Sequence, residues 1–255
     1  MEARSIADKL IAAERDRRPI TPFTDAYPHL GVEMAYQAQW LVVSHRLDRG
    51  ESLVGAKLGL TSRVMRMAAG IHDPLYGWFV SGMVSSHGEL PLDELIQPKV
   101  EPEIAFLIRD EIQAPATVTS VLAATEAVFA AIEVLDSRYG NSRYRLPDAI
   151  ADNAGAARVV FGPQARRPSE LEDLRLLGCV FRQQGEVVGT AAGAAVMGHP
   201  AAAVAWLVNT LAAQGKHLLG GTFVLSGGLT APVPLRPGGT VSAEFDGLGS
   251  IEVHG

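Results

Sequence analysis

One cysteine in 255 residues, Cys179, is too few for an intramolecular disulfide framework or a multi-cysteine zinc site. Within the run LGCVF it reads as a small buried side chain, and its isolation suits a reducing compartment. The seven histidines fall into no paired ligand spacing, which disfavours zinc further. No uninterrupted apolar run reaches the about 18 residues of a membrane span, and the most alanine-rich region is broken by His199 and Pro200. The opening MEARSIADKL places charges where a secretory signal needs an apolar stretch, so a cytoplasmic protein with no membrane partner is expected. Neither sign of charge dominates: 28 acidic against 22 basic residues give a net charge of −6, which argues against a nucleic-acid partner. A Gly-x-Ser-x-Gly elbow and a dinucleotide glycine fingerprint are both missing, and Gly215-Lys216 lacks the upstream glycine and following hydroxyl of a phosphate loop. Serine-hydrolase, dehydrogenase and nucleotidase chemistries lose support accordingly. There is no internal repeat and no linker that forces a second core.

What is present is an ordinary globular composition, 47% hydrophobic and 20% charged, in a chain long enough to bury a sizeable core. Residues 3–17 carry Ile6, Leu10, Ile11 and Ala13 at helical spacing, and residues 32–48 repeat the pattern around Ala35, Ala38, Leu41 and Val42. After Gly55 the texture changes to short β-type runs punctuated by glycine and proline, with two further helices expected. One spans residues 119–129. The other begins near Pro200 and stops near Gly215, with an AAAVAWLVNTLAA face so apolar that it should be buried. TVSAEF, Asp246-Gly247 and LGSIEV read as two strands and a tight turn, and VFRQQGEVVGTA reads as a second hairpin. PQARRPSELED is the best surface loop.

The run VEPEIAFLI, residues 100–108, is the most informative. As a strand it puts Val100, Pro102, Ile104, Phe106 and Ile108 on one face, and Glu101 and Glu103 side by side on the other. Like charges at that spacing repel unless water or a cation compensates them. In AAIEVLD a third carboxylate, Glu133, points away from the core-facing Ile132 and Val134. Three oxygen ligands suit a hard cation such as Mg²⁺ or Mn²⁺; solvated edge carboxylates are the other reading of the same spacing. In GAKLGLTS, Lys57 stands alone among small and apolar neighbours, either as a snorkelling surface chain or as a positioned cation. DSRYGNSRYRLPDAIADNAG gathers Arg138, Arg143 and Arg145 near Asp152-Asn153; these arginines could receive a substrate carboxylate or could solvate a loop.

Taken in order, GAKLGLTS, GIHDPLYGWF, VEPEIAFLI, AAIEVLDSRY, ADNAG, VVGTAAGAAVMGHP and VLSGGLTAPVPL resemble the 2-oxopent-4-dienoate hydratase and 4-oxalocrotonate decarboxylase family of the fumarylacetoacetate-hydrolase-like superfamily. The resemblance runs from about Val54 to the carboxyl terminus. It implies an α+β fold, a mixed β-sheet roll with amino-terminal helices, divided as a helical region over residues 1–53 and a catalytic region over 54–255 within one integrated domain. It implies a homo-oligomer, with a complex with a paralogous hydratase as a further expectation. It also makes Glu101, Glu103 and Glu133 ligands of Mg²⁺ or Mn²⁺, and Lys57 a catalytic lysine. Hydratases of the family carry an aspartate two residues before the glycine of a Pro-x-aromatic-Gly motif; here the motif is Pro74-Leu75-Tyr76-Gly77. Leu75 cannot activate water but can keep a departing carboxylate poorly solvated. The resemblance therefore points to decarboxylation of a small 2-oxo dicarboxylate, with hydration of a dienol as the alternative and a non-catalytic partner of a hydratase as another. Gly155 and Ala156 stand where the family often has serines, a departure from the pattern that removes a hydroxyl available for binding a carboxylate.

Overall fold

The computed structural model describes residues 2–63, 66–67, 71–85, 88–140 and 144–255. The amphipathic amino-terminal segments form α1 (Ala3–Asp16), the short α2 (Phe23–Ala26) and α3 (Val32–Leu47). Ile6, Ala7, Leu10 and Ala13 fall three or four residues apart on α1 and are all buried, the signature of one face turned to a core. The helix stops at Arg17, whose left-handed backbone (φ 50°) aims its N–H back at the carbonyls of Ala13 and Glu14.

The chain then becomes strand-rich: β1 (Leu53–Gly59), β2 (Leu75–Val80), β3 (Val84–Ser85), β4 (Lys99–Ile108), β5 (Thr125–Leu135) and β6 (Ala156–Phe161). Helices α4 (Val118–Ala124) and α5 (Leu146–Ala151) flank β5 in sequence. The strands β7 (Gly178–Gln183) and β8 (Glu186–Ala192) follow, then α6 (Pro200–Ala212), and finally β9 (Phe223–Leu225), β10 (Val233–Pro234), β11 (Thr240–Phe245) and β12 (Gly249–His254). An eight-stranded sheet has the order β2-β1-β9-β4-β5-β6-β3, with β10 beside β4. It is mixed, because β1 runs parallel to β9 and β3 parallel to β6 while the other pairs are antiparallel. The four-stranded sheet, β12-β11-β7-β8, contains both expected hairpins. Gln184 and Gly185 turn the first with positive φ at both residues (52° and 82°), which matches the twist of the flanking strands.

The helix expected over 119–129 ends early. Thr117 caps α4 by accepting from the Ser120 N–H, but Thr125 is already extended and opens β5. TEAVFAA has helix-forming composition, yet β5 lies between β4 and β6, and ten registered pairs with β4 override local propensity. The carboxy-terminal helix behaves as expected: Pro200 occupies its first turn, and eight of its residues are buried. The 20-residue segment Gly193–Ala212 has the length and apolarity of a membrane span, but only Pro200–Ala212 of it is α-helix, and that helix packs on α4.

Two buried apolar clusters result. The larger fills the sheets and includes Ile104, Phe106, Ile132, Phe181 and Leu207. The smaller joins α1, α3 and α5 to the sheet through Ile6, Leu10, Ile150, Tyr139 and Leu75. Each such aliphatic side chain contributes about 1.5–3 kcal/mol by leaving water.

Candidate metal centre

Strand alternation places the side chains of Glu101 and Glu103 on one face of β4. Long-range pairing supplies the third carboxylate, since Glu101 lies directly opposite Glu133 on β5 and Glu103 opposite Ala131. One oxygen from each of the three lies within 4.8 Å of the others. Glu103 and Glu133 are not solvated edge charges: both are 0% exposed, Glu101 beside them is part-buried, and their strands lie inside the sheet.

Lys57 enters from β1, on the far side of β9. Its partner on β9 is Leu225, where that three-residue strand ends, so beyond it the ammonium can reach across the sheet. Nζ sits 3.0 Å from Glu133 Oε2 and 3.2 Å from the Ala154 carbonyl, and the residue is 2% exposed. It is a positioned cation rather than a snorkelling one.

Among the described residues the charges of this cluster do not balance. Three ionised carboxylates against one ammonium would leave two uncompensated negative charges in a buried site, a situation that costs several kcal/mol per ion unless another partner arrives. Burial and the Glu133 charge push Glu101 up to about 7, with Lys57 opposing. Burial, Glu133 and Glu101 lift Glu103 well above the usual carboxylate range, and burial also raises Glu133. Burial disfavours the Lys57 ammonium, but the three carboxylates outweigh it and its pKa rises. Among the described residues Glu103 Oε1 and Glu133 Oε1 have no hydrogen-bond partner, and Glu133 Oε2 has only the ion pair with Lys57. An all-oxygen, under-neutralised donor set with orphaned atoms fits a hard divalent cation in both charge and chemistry.

The turn after β9 shapes the cluster, a part played by Gly227 and Gly228 that spacing alone does not reveal. Gly227 adopts φ +112°, and its N–H donates to Glu103 Oε2 at 2.6 Å. That bond occupies one oxygen of Glu103 and leaves the other facing the cluster. A Cβ on Gly228 would collide with Glu101 Oε2, and one on Gly227 with Thr61. The glycine pair inside VLSGGLT was the available signal.

Leu75 lies opposite Gly59 in the β1–β2 register, while Lys57 lies opposite Gly77, so Leu75 and Lys57 share a face. A Cβ placed on Gly59 would stand 3.1 Å from Leu75 Cδ1 and 3.9 Å from Lys57 Nζ, which locates an apolar group beside the ammonium. Leu75 is 3% exposed and is backed by the helical cluster.

Of the three expected arginines, Arg138 and Arg145 are among the described residues, and both are placed by contacts other than the carboxylates. Arg138 is 4% exposed and committed elsewhere: its Nε pairs with the Asp152 carboxylate, Nη2 donates to the Asp152 carbonyl and Nη1 to the Ala156 carbonyl. The expectation that it receives a substrate carboxylate stands beside these contacts, which already engage Nε, Nη1 and Nη2. Arg145 is exposed at the amino end of α5, and Arg143 lies outside the described residues. Tyr144, from the same sequence run, feels the cluster instead: burial and Asp152 raise its phenol pKa, Lys57 opposes and Glu101 adds to it.

A family model described as "Fumarylacetoacetate (FAA) hydrolase C-terminal" matches residues 72–254, which include all three glutamates and Leu75. The chain belongs to the fumarylacetoacetate hydrolase family. Within that family it is 40% identical to a 4-oxalocrotonate decarboxylase of a Pseudomonas species, over 98% of this chain and 95% of the relative. It is 38% identical to a 2-keto-4-pentenoate hydratase of Burkholderia vietnamiensis, over 97% and 95% respectively. The solved 4-oxalocrotonate decarboxylase of Pseudomonas putida, complexed with magnesium and adipate, superimposes with a TM-score of 0.95 at 36% identity, over 99% of this chain and 96% of that one. The mixed α+β architecture is thus that of the fumarylacetoacetate hydrolase family, including the amino-terminal helices that precede the matched region.

Proposed function

We propose that the chain is a divalent-metal-dependent carboxy-lyase converting (3E)-2-oxohex-3-enedioate, or a close analogue, to 2-hydroxypenta-2,4-dienoate and carbon dioxide. Glu101, Glu103 and Glu133 would hold Mg²⁺ or Mn²⁺; the Pseudomonas putida relative was solved with magnesium. When bound, the cation supplies Lewis-acid withdrawal of electrons from the 2-oxo oxygen. In the substrate, the bond to the far carboxyl carbon breaks and its electron pair moves through the conjugated double bond to the 2-oxo oxygen. That oxygen takes up one proton, and carbon dioxide leaves neutral. Lys57 Nζ, fixed between Glu133 and the Ala154 carbonyl, holds a substrate carboxylate or moves the proton.

The observation that carries decarboxylation over hydration is Leu75 beside Lys57. An apolar wall withholds hydrogen bonds from the departing carboxylate and so destabilises its charged ground state relative to the transition state. Hydration would instead need an ordered water and a group to exchange its proton there. The hydratase relatives keep that second reading in play, whereas the intact carboxylate cluster weighs against a non-catalytic partner. Incubating the protein and Mg²⁺ with the dicarboxylate or the dienol, then identifying products, decides between the branches. Leu75→Asp should lower decarboxylation about a hundredfold at saturating metal, through like-charge repulsion and admitted water. Rapid dienol hydration by the unmodified protein, with no carbon dioxide released from the dicarboxylate, would refute the reading.

Finer expectations accompany this reading. The helical region over residues 1–53 and the catalytic region over 54–255 act as one unit, because Leu75 packs in the helical cluster. A homo-oligomer is supported by exposed Val187 and Val188 on β8, an edge strand with unpaired backbone groups. A complex with a paralogous hydratase is supported by chemistry, because the dienol product is the enol form of 2-keto-4-pentenoate, the compound in the name of the Burkholderia relative. The single buried cysteine supports a cytoplasmic setting, and similarity to a 4-oxalocrotonate decarboxylase supports a place in aromatic-compound catabolism by meta-cleavage.

A further inference from the structure

The turn Asp152–Ala156 has an unusual backbone. Asn153, Ala154 and Gly155 take positive φ in succession (51°, 56° and 72°), and two of the three carry a Cβ. Non-glycine residues in this region cost about 1–3 kcal/mol each and persist only where their surroundings enforce them. Two clamps do so here. The Asn153 carboxamide bonds the backbone of β2 at both ends, its Oδ1 accepting from the Trp78 N–H at 2.9 Å and its Nδ2 donating to the Trp78 carbonyl at 2.8 Å. β2 is an edge strand, so the Asn153 side chain takes the place of a neighbouring strand's peptide group at Trp78. On the other side the Arg138 guanidinium grips the Asp152 carboxylate and the carbonyls of Asp152 and Ala156. Gly77, opposite Lys57 in the β1–β2 register, lets the turn approach, since a Cβ there would lie 2.5 Å from the Asn153 carbonyl oxygen. The product of all this is one backbone acceptor, the Ala154 carbonyl, within 3.2 Å of Lys57 Nζ, which also meets Glu133 Oε2 at 3.0 Å.

We propose that Asn153 is a positioning residue: with Arg138 it holds the strained turn whose Ala154 carbonyl sets the direction of the Lys57 ammonium. The inference rests on the reading of Lys57 as catalytic. An ammonium with one carboxylate partner can swing about its four-carbon stem; a second, rigid acceptor fixes where its remaining protons point. Loss of the clamp should therefore lower turnover more than binding.

Two variants test this in the metal-loaded protein. Asn153→Gly keeps left-handed backbone freedom and removes the clamp. Gly77→Ala pushes the turn away without deleting a polar group. Both should lower kcat about a hundredfold while KM and Mg²⁺ affinity stay within about twofold, the size expected of a misplacement near 1 Å. In both, Lys57 should be acylated faster by acetic anhydride, and in Asn153→Gly the Trp78 amide should also lose protection from hydrogen exchange. These two readouts are independent of turnover, so they still test the clamp if the unmodified protein proves not to be a decarboxylase. Unchanged Lys57 acylation alongside an unprotected Trp78 amide would overturn the proposal. So would a parallel fall in kcat, metal affinity and melting temperature, which would mark Asn153 as a general structural residue.

Discussion

Two buried charge clusters behave in opposite ways. Arg138 and Asp152 form a one-to-one pair in which the guanidinium and carboxylate meet, with further donors from Ser137 Oγ and the Arg138 N–H. Around Glu101, Glu103, Glu133 and Lys57 the count among the described residues is three to one, and Glu103 Oε1 and Glu133 Oε1 have no partner among them. The first cluster is closed and organises backbone. The second is open, its unmatched charge being what a divalent ligand would complete. Burial of charge is therefore not what marks the site; the mismatch is.

The largest effect that would separate the clusters comes from Glu103→Gln. Turnover should fall by about a thousandfold or more, the scale of deleting a principal electrostatic stabiliser. Stability in the absence of metal should move the other way. Glu103 has a folded-state pKa raised above its unfolded value, so its stabilising contribution is present only at low pH and is lost as pH rises through the folded value. A neutral isostere removes that penalty, and at pH 8 the metal-free variant should melt above the parent. Asp152→Ala should do the reverse. It leaves the buried Arg138 guanidinium without its anion, and unfolding titrations should show a loss of about 3–5 kcal/mol. If Glu103→Gln destabilised the metal-free fold as Asp152→Ala does, the contrast between open and closed clusters would collapse. A smaller effect is expected from Gly228→Ala, whose added methyl collides with Glu101 Oε2. Metal affinity should drop about ten- to a hundredfold, typical of disturbing the groups that orient a ligand. An unchanged affinity would mean that the Gly227-Gly228 turn is only a connection.

The same contrast explains what could be read from sequence. Alternation in VEPEIAFLI placed Glu101 and Glu103 on one face, a local property of any strand. That Glu133 lies opposite Glu101 depends on pairing across about thirty residues of chain, which no local pattern encodes. Family resemblance supplied what spacing could not. Linear proximity groups Arg138 with Arg143 and Arg145, whereas its hydrogen bonds tie it to the Asp152–Ala156 turn, a contact that no sequence spacing encodes. The α4 helix was overextended for a related reason: TEAVFAA satisfies helix propensity, and only the sheet on both sides makes it a strand. The hairpins β7–β8 and β11–β12 were legible because turn and strands are contiguous.

The most direct test is a calorimetric titration of Mn²⁺ into the metal-free protein at pH 6 and pH 8, repeated with Glu103→Gln. Burial and the neighbouring Glu133 push Glu101 up to about 7, so a cation displaces more protons at pH 6 than at pH 8. One ion per chain should bind, more tightly at pH 8, with proton release at pH 6 and with affinity largely lost in the variant. Equal binding by the parent and Glu103→Gln, or none by either, would contradict the assignment of Glu101, Glu103 and Glu133 as a metal centre.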